Sequence, residues 1–191
     1  MTGSAVIDLF KETGALLEGH FVYASGMHGR HFLQAARVLQ HPQHTEAFAR
    51  AIAEHFRDAA PTFVIGPATG GIVLAYETAR QLGCRAAFTE KDPDGSMLLK
   101  RGFHLKPDER VLVVEDIVTT GGSIKKSIGH LRARGAEVVG IGAIIDRSGG
   151  AAVFEYPFYA LAQFELDSYP AERVPEDLSS IPVSEPDDLI L

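Results

Sequence analysis

The chain has 191 residues, 46% of them hydrophobic and 23% charged, with a net charge of −7 and one cysteine, Cys84. This length suits one domain, 1–191, with a full core. The acidic balance argues against a nucleic-acid partner, and a lone cysteine excludes an internal disulfide or a cysteine metal cluster. No stretch reaches the ~18 consecutive apolar residues of a membrane span. The N-terminus lacks a signal-peptide pattern, so the expected compartment is the cytoplasm.

In chain order, Val6, Leu9, Phe10, Leu16 and Leu17 recur at helical spacing and predict a helix over 4–17. Short strands are expected at 20–24 and 31–36, around a turn that runs from Ser25 to Arg30. A helix over 43–57 places Phe48, Ile52 and Phe56 on one face, with Pro42 at its start. A short buried strand at 63–65 leads into a helix over 70–82, and a further strand occupies 85–89. Residues 89–103 read as strand, polar turn, strand: a long hairpin arm. The strand at 111–115, the helix over 122–134 and the strand at 138–145 complete the alternation. Such alternation predicts a parallel sheet flanked by helices on both faces, with ligands beyond the carboxyl ends of its strands. The tail, 167–191, is rich in Pro, Ser and acids and reads as an extended wrap or partial disorder.

Function is most legible between Val111 and Ser123. An apolar β-branched run suits a doubly buried strand. It is followed by Glu115 and Asp116, then by Thr119, Thr120, Gly121, Gly122 and Ser123, where a helix begins. Glycines allow an anion close to the backbone, and the N–H groups of the turn and helix start point at it. The hydroxyls add donors, while the paired carboxylates accept from a sugar diol. A second glycine turn, with Ala68, Thr69, Gly70 and Gly71, again lies between strand and helix and offers a second anion site. Lys91, Lys100 and Arg101 on the hairpin can neutralise a departing anion and exclude water. Arg147, at a strand's carboxyl end, suits a planar carboxylate. Between Gly19 and Phe32, aromatic residues including Phe21 can roof a flat base, with Ser25, His28 and Arg30 as donors. The irregular histidine spacing there, with no acid interleaved, argues against zinc.

These runs, in this order, resemble the orotate branch of the type I phosphoribosyltransferases over nearly the whole chain. The resemblance implies an α/β fold with a central parallel sheet, a small N-terminal hood (mainly 18–40) and a flexible arm (about 90–104). It also implies a non-proline cis peptide near Ala68-Thr69. The implied reaction is phosphoribosyl transfer from phosphoribosyl diphosphate to orotate, giving orotidine 5-phosphate for pyrimidine synthesis. The 5-phosphate would sit on Thr119–Ser123 and the ribose hydroxyls on Glu115 and Asp116. The pyrophosphate would lie by Ala68–Gly71 and the orotate carboxylate on Arg147. Lys91, Lys100, Arg101 and Asp116 would carry catalysis. Mg²⁺ would be held mainly by substrate oxygens, with Glu115 and Asp116 as its nearest protein groups. The implied assembly is a homodimer whose arm works in the neighbour's site.

The chain departs from the pattern in places. Ala24 and Gly70 stand where many orotate enzymes carry lysine, although the branch with a Gly-Gly pyrophosphate loop lacks both; within that branch Gly29 stands where serine usually follows the hood histidine, and His31 where tyrosine is common. Val174-Pro-Glu-Asp177 replaces a Cys-x-x-Cys. Gly29 and His31 leave a phosphoribosyltransferase for another base open. A phosphoribosyl-diphosphate-binding regulator without catalysis is the remaining alternative.

Overall fold

The computed structural model describes residues 1–23 and 25–186. Helix α1 (Gly3–Glu12) is capped by the Thr2 hydroxyl and ends at Thr13-Gly14, where Gly14 takes a positive φ of 65°. The expected helix over 4–17 is therefore shorter. Leu16 and Leu17 open strand β1 (Leu16–Val22), which pairs antiparallel with β2 (His28–Leu33). Their spacing fits a helix face, but a glycine stop intervenes. This two-stranded hairpin is separate from the main sheet. It begins at 16 and 28 rather than 20 and 31, so His28 and Arg30 lie in a strand and not in the turn. Ala24 lies outside the described residues.

Two helices follow: α2 (Ala35–Leu39), which has no counterpart in the sequence reading, and α3 (Pro42–Phe56), with Pro42 at its first turn. Next come β3 (Phe63–Pro67), α4 (Gly71–Leu82), β4 (Arg85–Lys91) and β5 (Met97–Leu99). The remainder of the sheet layer is β6 (Arg110–Val118), α5 (Gly122–Ala133), β7 (Glu137–Asp146) and β8 (Phe158–Gln163). Strand β8 is a further element absent from the sequence reading. The sheet order is β5-β4-β3-β6-β7-β8, parallel throughout except for the antiparallel β4–β5 pair.

Side-chain alternation on β6 divides the core. Leu112 and Val114 join Phe10, Phe48, Ile52 and Leu74, beneath α1, α3 and α4. Val111 and Val113 join Ile65, Ile124, Ile128 and Leu131, beneath α5. Each fully buried leucine or isoleucine contributes ~1.5–3 kcal/mol of transfer free energy. Both faces are thus covered, as parallel sheets require. Arg85 braces the opposite end of the sheet, with bonds of 2.9 and 2.7 Å to the buried Glu109 carboxylate.

The connections fix where a ligand can sit. Strand β3 crosses through α4 to β4 on one side, and β6 crosses through α5 to β7 on the other. Chain direction therefore diverges between β3 and β6, leaving a crevice beyond their carboxyl ends. Both glycine turns lie there.

As far as residue 186 the tail is an extended wrap across the hairpin, with one short helix, α6 (Glu176–Ser179); its last residues, 187–191, lie outside the described residues. Backbone bridges join His28 to Tyr169 and His20 to Val183. Arg30 pairs with Asp177, and Leu178 is fully buried. No helix among the described residues is long and apolar enough to cross a membrane.

Candidate active site

The turn after β6 begins later than expected. The β-branched pair Ile117-Val118 keeps the strand paired with β7 as far as Asp146, so both acids lie within the strand. Thr119 and Thr120 are exposed, and Gly121 takes a positive φ of 71°. A Cβ there would stand 2.6 Å from the Phe154 ring, so backbone angle and space both call for glycine. No side chain caps α5; the Thr120 hydroxyl accepts from Gly122 N–H at 3.3 Å. The turn and the start of α5 border a cavity of about 250 Å³ that also reaches Lys91, Glu115 and Lys126. Backbone N–H groups and hydroxyls at a helix start, with two lysines beside them, can hold an anion.

The second turn closes against the first. The Ala68–Thr69 peptide is cis, and Ala68 N–H donates to the Thr89 carbonyl at 2.7 Å. A Cβ on Gly66 would run into the backbone of Gly71, so strand and helix approach as closely as glycines permit. A Cβ on Gly70 would collide with the Asp116 carboxylate. The missing lysine at position 70 thus has a local reason: Asp116 fills that space. Asp116 Oδ1 accepts from Ile117 N–H at 2.7 Å.

Burial raises both acids above the ordinary carboxylate range. For Glu115 the neighbouring Asp116 charge adds to burial and pushes it up to about 9. For Asp116, burial raises the group while the bond from Ile117 N–H opposes it. Two adjacent carboxyls whose charge is resisted by burial make a site that gains from a bound cation or from hydroxyl donors.

The cations separate into two groups. Lys91 and Lys126 border the cavity. Lys126, on α5, was not singled out by the sequence; its ammonium donates to the Gly95 carbonyl at 2.6 Å, joining α5 to the hairpin tip. Lys100 and Arg101 lie outside the cavity: Lys100 pairs with Asp92, and Arg101 binds both Glu90 oxygens at 2.8 Å.

Arg147 stands one strand over. Its N–H donates to the Val118 carbonyl at 2.8 Å, and its guanidinium lies 4.3 Å from the centre of the Tyr23 ring. It is half-buried, and among the described residues no carboxylate forms an ion pair with it. Burial lowers its pKa and raises that of Tyr23.

The hairpin residues are placed differently from the expectation. Phe21 is fully enclosed against Phe32, in a cluster with Leu17 and Tyr23, so its ring is not open to a ligand. Ser25 is exposed, its hydroxyl accepting from Met27 N–H at 3.4 Å. His28 Nδ1 lies 2.7 Å from His20 Nε2, and His20 Nδ1 lies 2.8 Å from the Ile181 carbonyl, so His28 serves the hairpin–tail contact. Tyr23, not Phe21, is the aromatic residue that meets Arg147.

Residues 34–169 match the phosphoribosyl transferase domain. The chain is 49% identical over 180 residues to the orotate phosphoribosyltransferase of Thermus thermophilus, covering 94% of this chain and 98% of that one. The chain belongs to the orotate phosphoribosyltransferase family. The orotate phosphoribosyltransferase of Caldicellulosiruptor bescii is 45% identical over 186 residues, 97% of each chain. The crystal structure of orotate phosphoribosyltransferase from Aeropyrum pernix superposes with a TM-score of 0.72 at 29% identity, over 83% of this chain and 93% of that one. Within this orotate phosphoribosyltransferase fold, the crevice between β3 and β6 carries both glycine turns and both acids. The hairpin β1–β2 brings Tyr23 to Arg147 beside it.

Proposed function

We propose that the protein transfers a phosphoribosyl group from phosphoribosyl diphosphate to orotate, forming orotidine 5-phosphate and pyrophosphate for pyrimidine synthesis. The observation that carries this reading is Arg147. It is a half-buried guanidinium without an acidic partner among the described residues, one strand from the phosphate turn. Orotate is a planar base bearing a carboxylate, which such a group recognises through paired hydrogen bonds.

The turn Thr119–Ser123 holds the 5-phosphate through backbone N–H and hydroxyl donors, aided by the α5 dipole. Asp116 and Glu115 accept from the ribose hydroxyls, and Thr69–Gly71 with the α4 start receives the pyrophosphate. The bond from the anomeric carbon to pyrophosphate breaks as N1 of orotate bonds to that carbon, and the N1 proton passes to the departing pyrophosphate or to water. Positive charge develops on the sugar ring, and the Asp116 carboxyl, once ionised against the bound substrate, would stabilise it, while Glu115 contributes as a hydroxyl acceptor. Lys91 and Lys126, which border the cavity of the Thr119–Ser123 turn, add positive charge to the phosphate held there. Holding both substrates in line supplies much of the acceleration.

Hard carboxylate oxygens pushed out of their ordinary ionisation range suit Mg²⁺. No three ligating side chains among the described residues come together as a cage, so substrate oxygens would complete its shell. Bound there, Mg²⁺ would supply charge neutralisation at the diphosphate. We place a second copy beside α4, whose exposed Val73 and Tyr76 offer an apolar face. Lys100 and Arg101 would then exchange Asp92 and Glu90 for the neighbour's pyrophosphate. One cysteine, and no long apolar helix among the described residues, are compatible with a cytoplasmic enzyme.

Product analysis tests the assignment. With phosphoribosyl diphosphate and Mg²⁺, orotate is expected to yield orotidine 5-phosphate and pyrophosphate in equal amounts, while uracil, hypoxanthine and adenine stay unconverted. Faster conversion of one of the other bases would reassign the substrate.

A further inference from the structure

We infer that Tyr23 is a positioning residue that sets the orientation of Arg147, and that Gly29 is glycine in order to admit the Tyr23 ring. The inference rests on the proposed role of Arg147 toward orotate and goes one layer behind it.

Three observations converge. The Arg147 guanidinium lies 4.3 Å from the centre of the Tyr23 ring, within the range of a cation–π contact. Its flexible side chain has no carboxylate partner among the described residues, so the ring is the group that restrains it. The ring is itself restrained: the Tyr23 hydroxyl donates to the His31 carbonyl at 2.7 Å, across the hairpin. Tyr23 N–H also donates to the Met27 carbonyl at 2.8 Å, and the ring is 8% exposed. Finally, a Cβ on Gly29 would overlap the Tyr23 hydroxyl and lie 2.5 Å from Cζ. Gly29 has no positive φ, so space rather than backbone conformation demands glycine there. Gly29 and the His31 backbone, at two of the positions that depart from the family pattern, are thus the ones that hold Tyr23.

A guanidinium stacked on a fixed aromatic plane keeps its edge N–H groups free for a planar carboxylate. Loss of the ring leaves the charge in place but releases its orientation, so the effect falls on the base and not on the sugar phosphate. A bridge of this kind is worth a factor of about 2 to 30 in affinity.

The test compares wild type, Tyr23→Leu, Tyr23→Phe, Gly29→Ala and the double variant Tyr23→Leu/Gly29→Ala. KM is measured for orotate and for phosphoribosyl diphosphate, alongside melting temperature. Tyr23→Leu is expected to raise the orotate KM about tenfold and to leave the phosphoribosyl diphosphate KM within about twofold. Tyr23→Phe retains the ring but loses the His31 bond, and its orotate KM is expected to fall between wild type and Tyr23→Leu. Gly29→Ala reproduces the Tyr23→Leu defect in a wild-type background and adds nothing to it in the double variant. An unchanged orotate KM in Tyr23→Leu, or equal loss for both substrates, overturns the inference while leaving the function intact. Absence of orotate turnover in the wild type, by contrast, removes the functional reading on which it rests.

Discussion

Gly70 and Asp116 are 46 residues apart in sequence and share one space. Glycine in a phosphate loop is usually explained by backbone freedom, but Gly70 has an ordinary helical φ of −60°. What it supplies is room for a carboxylate. Gly70→Ala is therefore expected to displace Asp116 and lower kcat/KM by about 10²-fold, the scale of an ångström-sized misplacement, while the melting temperature stays close to wild type. Steady-state kinetics beside a thermal melt check this; full activity would show that the Asp116 position is immaterial. Glu115 has the opposite difficulty, a carboxyl that the fold resists charging. The folded chain retains its proton up to about pH 9, whereas the ordinary group releases it near 4.5. The folded state binds more protons in that window, so this residue's contribution is full below it and is lost as pH rises through it. Glu115→Gln cannot ionise. The ligand-free variant is expected to melt several degrees above wild type at pH 8 and close to it at pH 4.5. Equal melting differences at both values would contradict the raised ionisation.

At the scale of elements, the parts that could be read were those whose pattern is local. The runs entering β3 and β6, the glycines after them and the periods of α4 and α5 each sit in one short window. The misread elements were decided elsewhere. Leu16 and Leu17 fit a helix face until Thr13-Gly14 ends it, and the strand they form is stabilised by β2. Strand β6 outlasts its acids because Ile117 and Val118 pair with Ile145 and Asp146. Strand β8 is short and half exposed, and β7 supplies its partner. Helix α2, at five residues, is too short to display a period. Lys126 looked like any solvated helix lysine, because its partner is a carbonyl on the β4–β5 hairpin. Lys126→Ala is expected to release that hairpin, raising amide exchange around Gly95–Met97 and raising the KM for phosphoribosyl diphosphate about tenfold, the scale of losing one hydrogen bond to a charged group. Unchanged exchange there would show that the hairpin is held by β4–β5 pairing alone.

The whole molecule is organised by the divergence of chain direction between β3 and β6; strand–helix alternation made legible a parallel sheet with its ligand site beyond the strand ends, but not the strand order that places the divergence. The glycine turn after β6 and its two acids were legible as a unit, because both lie in one contiguous run. The hairpin's part in the site was not legible: Phe21 and His28 turned inward to the hairpin core and the tail, and Tyr23 took the place beside Arg147. No local pattern announces a contact between the first and last thirds of a chain. The central claim is that the crevice binds phosphoribosyl diphosphate and that Arg147 selects orotate beside it. The most direct measurement is the loss of orotate absorbance when phosphoribosyl diphosphate and Mg²⁺ are added, with wild type and Arg147→Ala in parallel. Wild type is expected to consume orotate, and Arg147→Ala to lose at least about a hundredfold in kcat/KM while still binding phosphoribosyl diphosphate, the scale of truncating a charge-paired contact. No consumption by wild type, or equal consumption by both, would contradict the account.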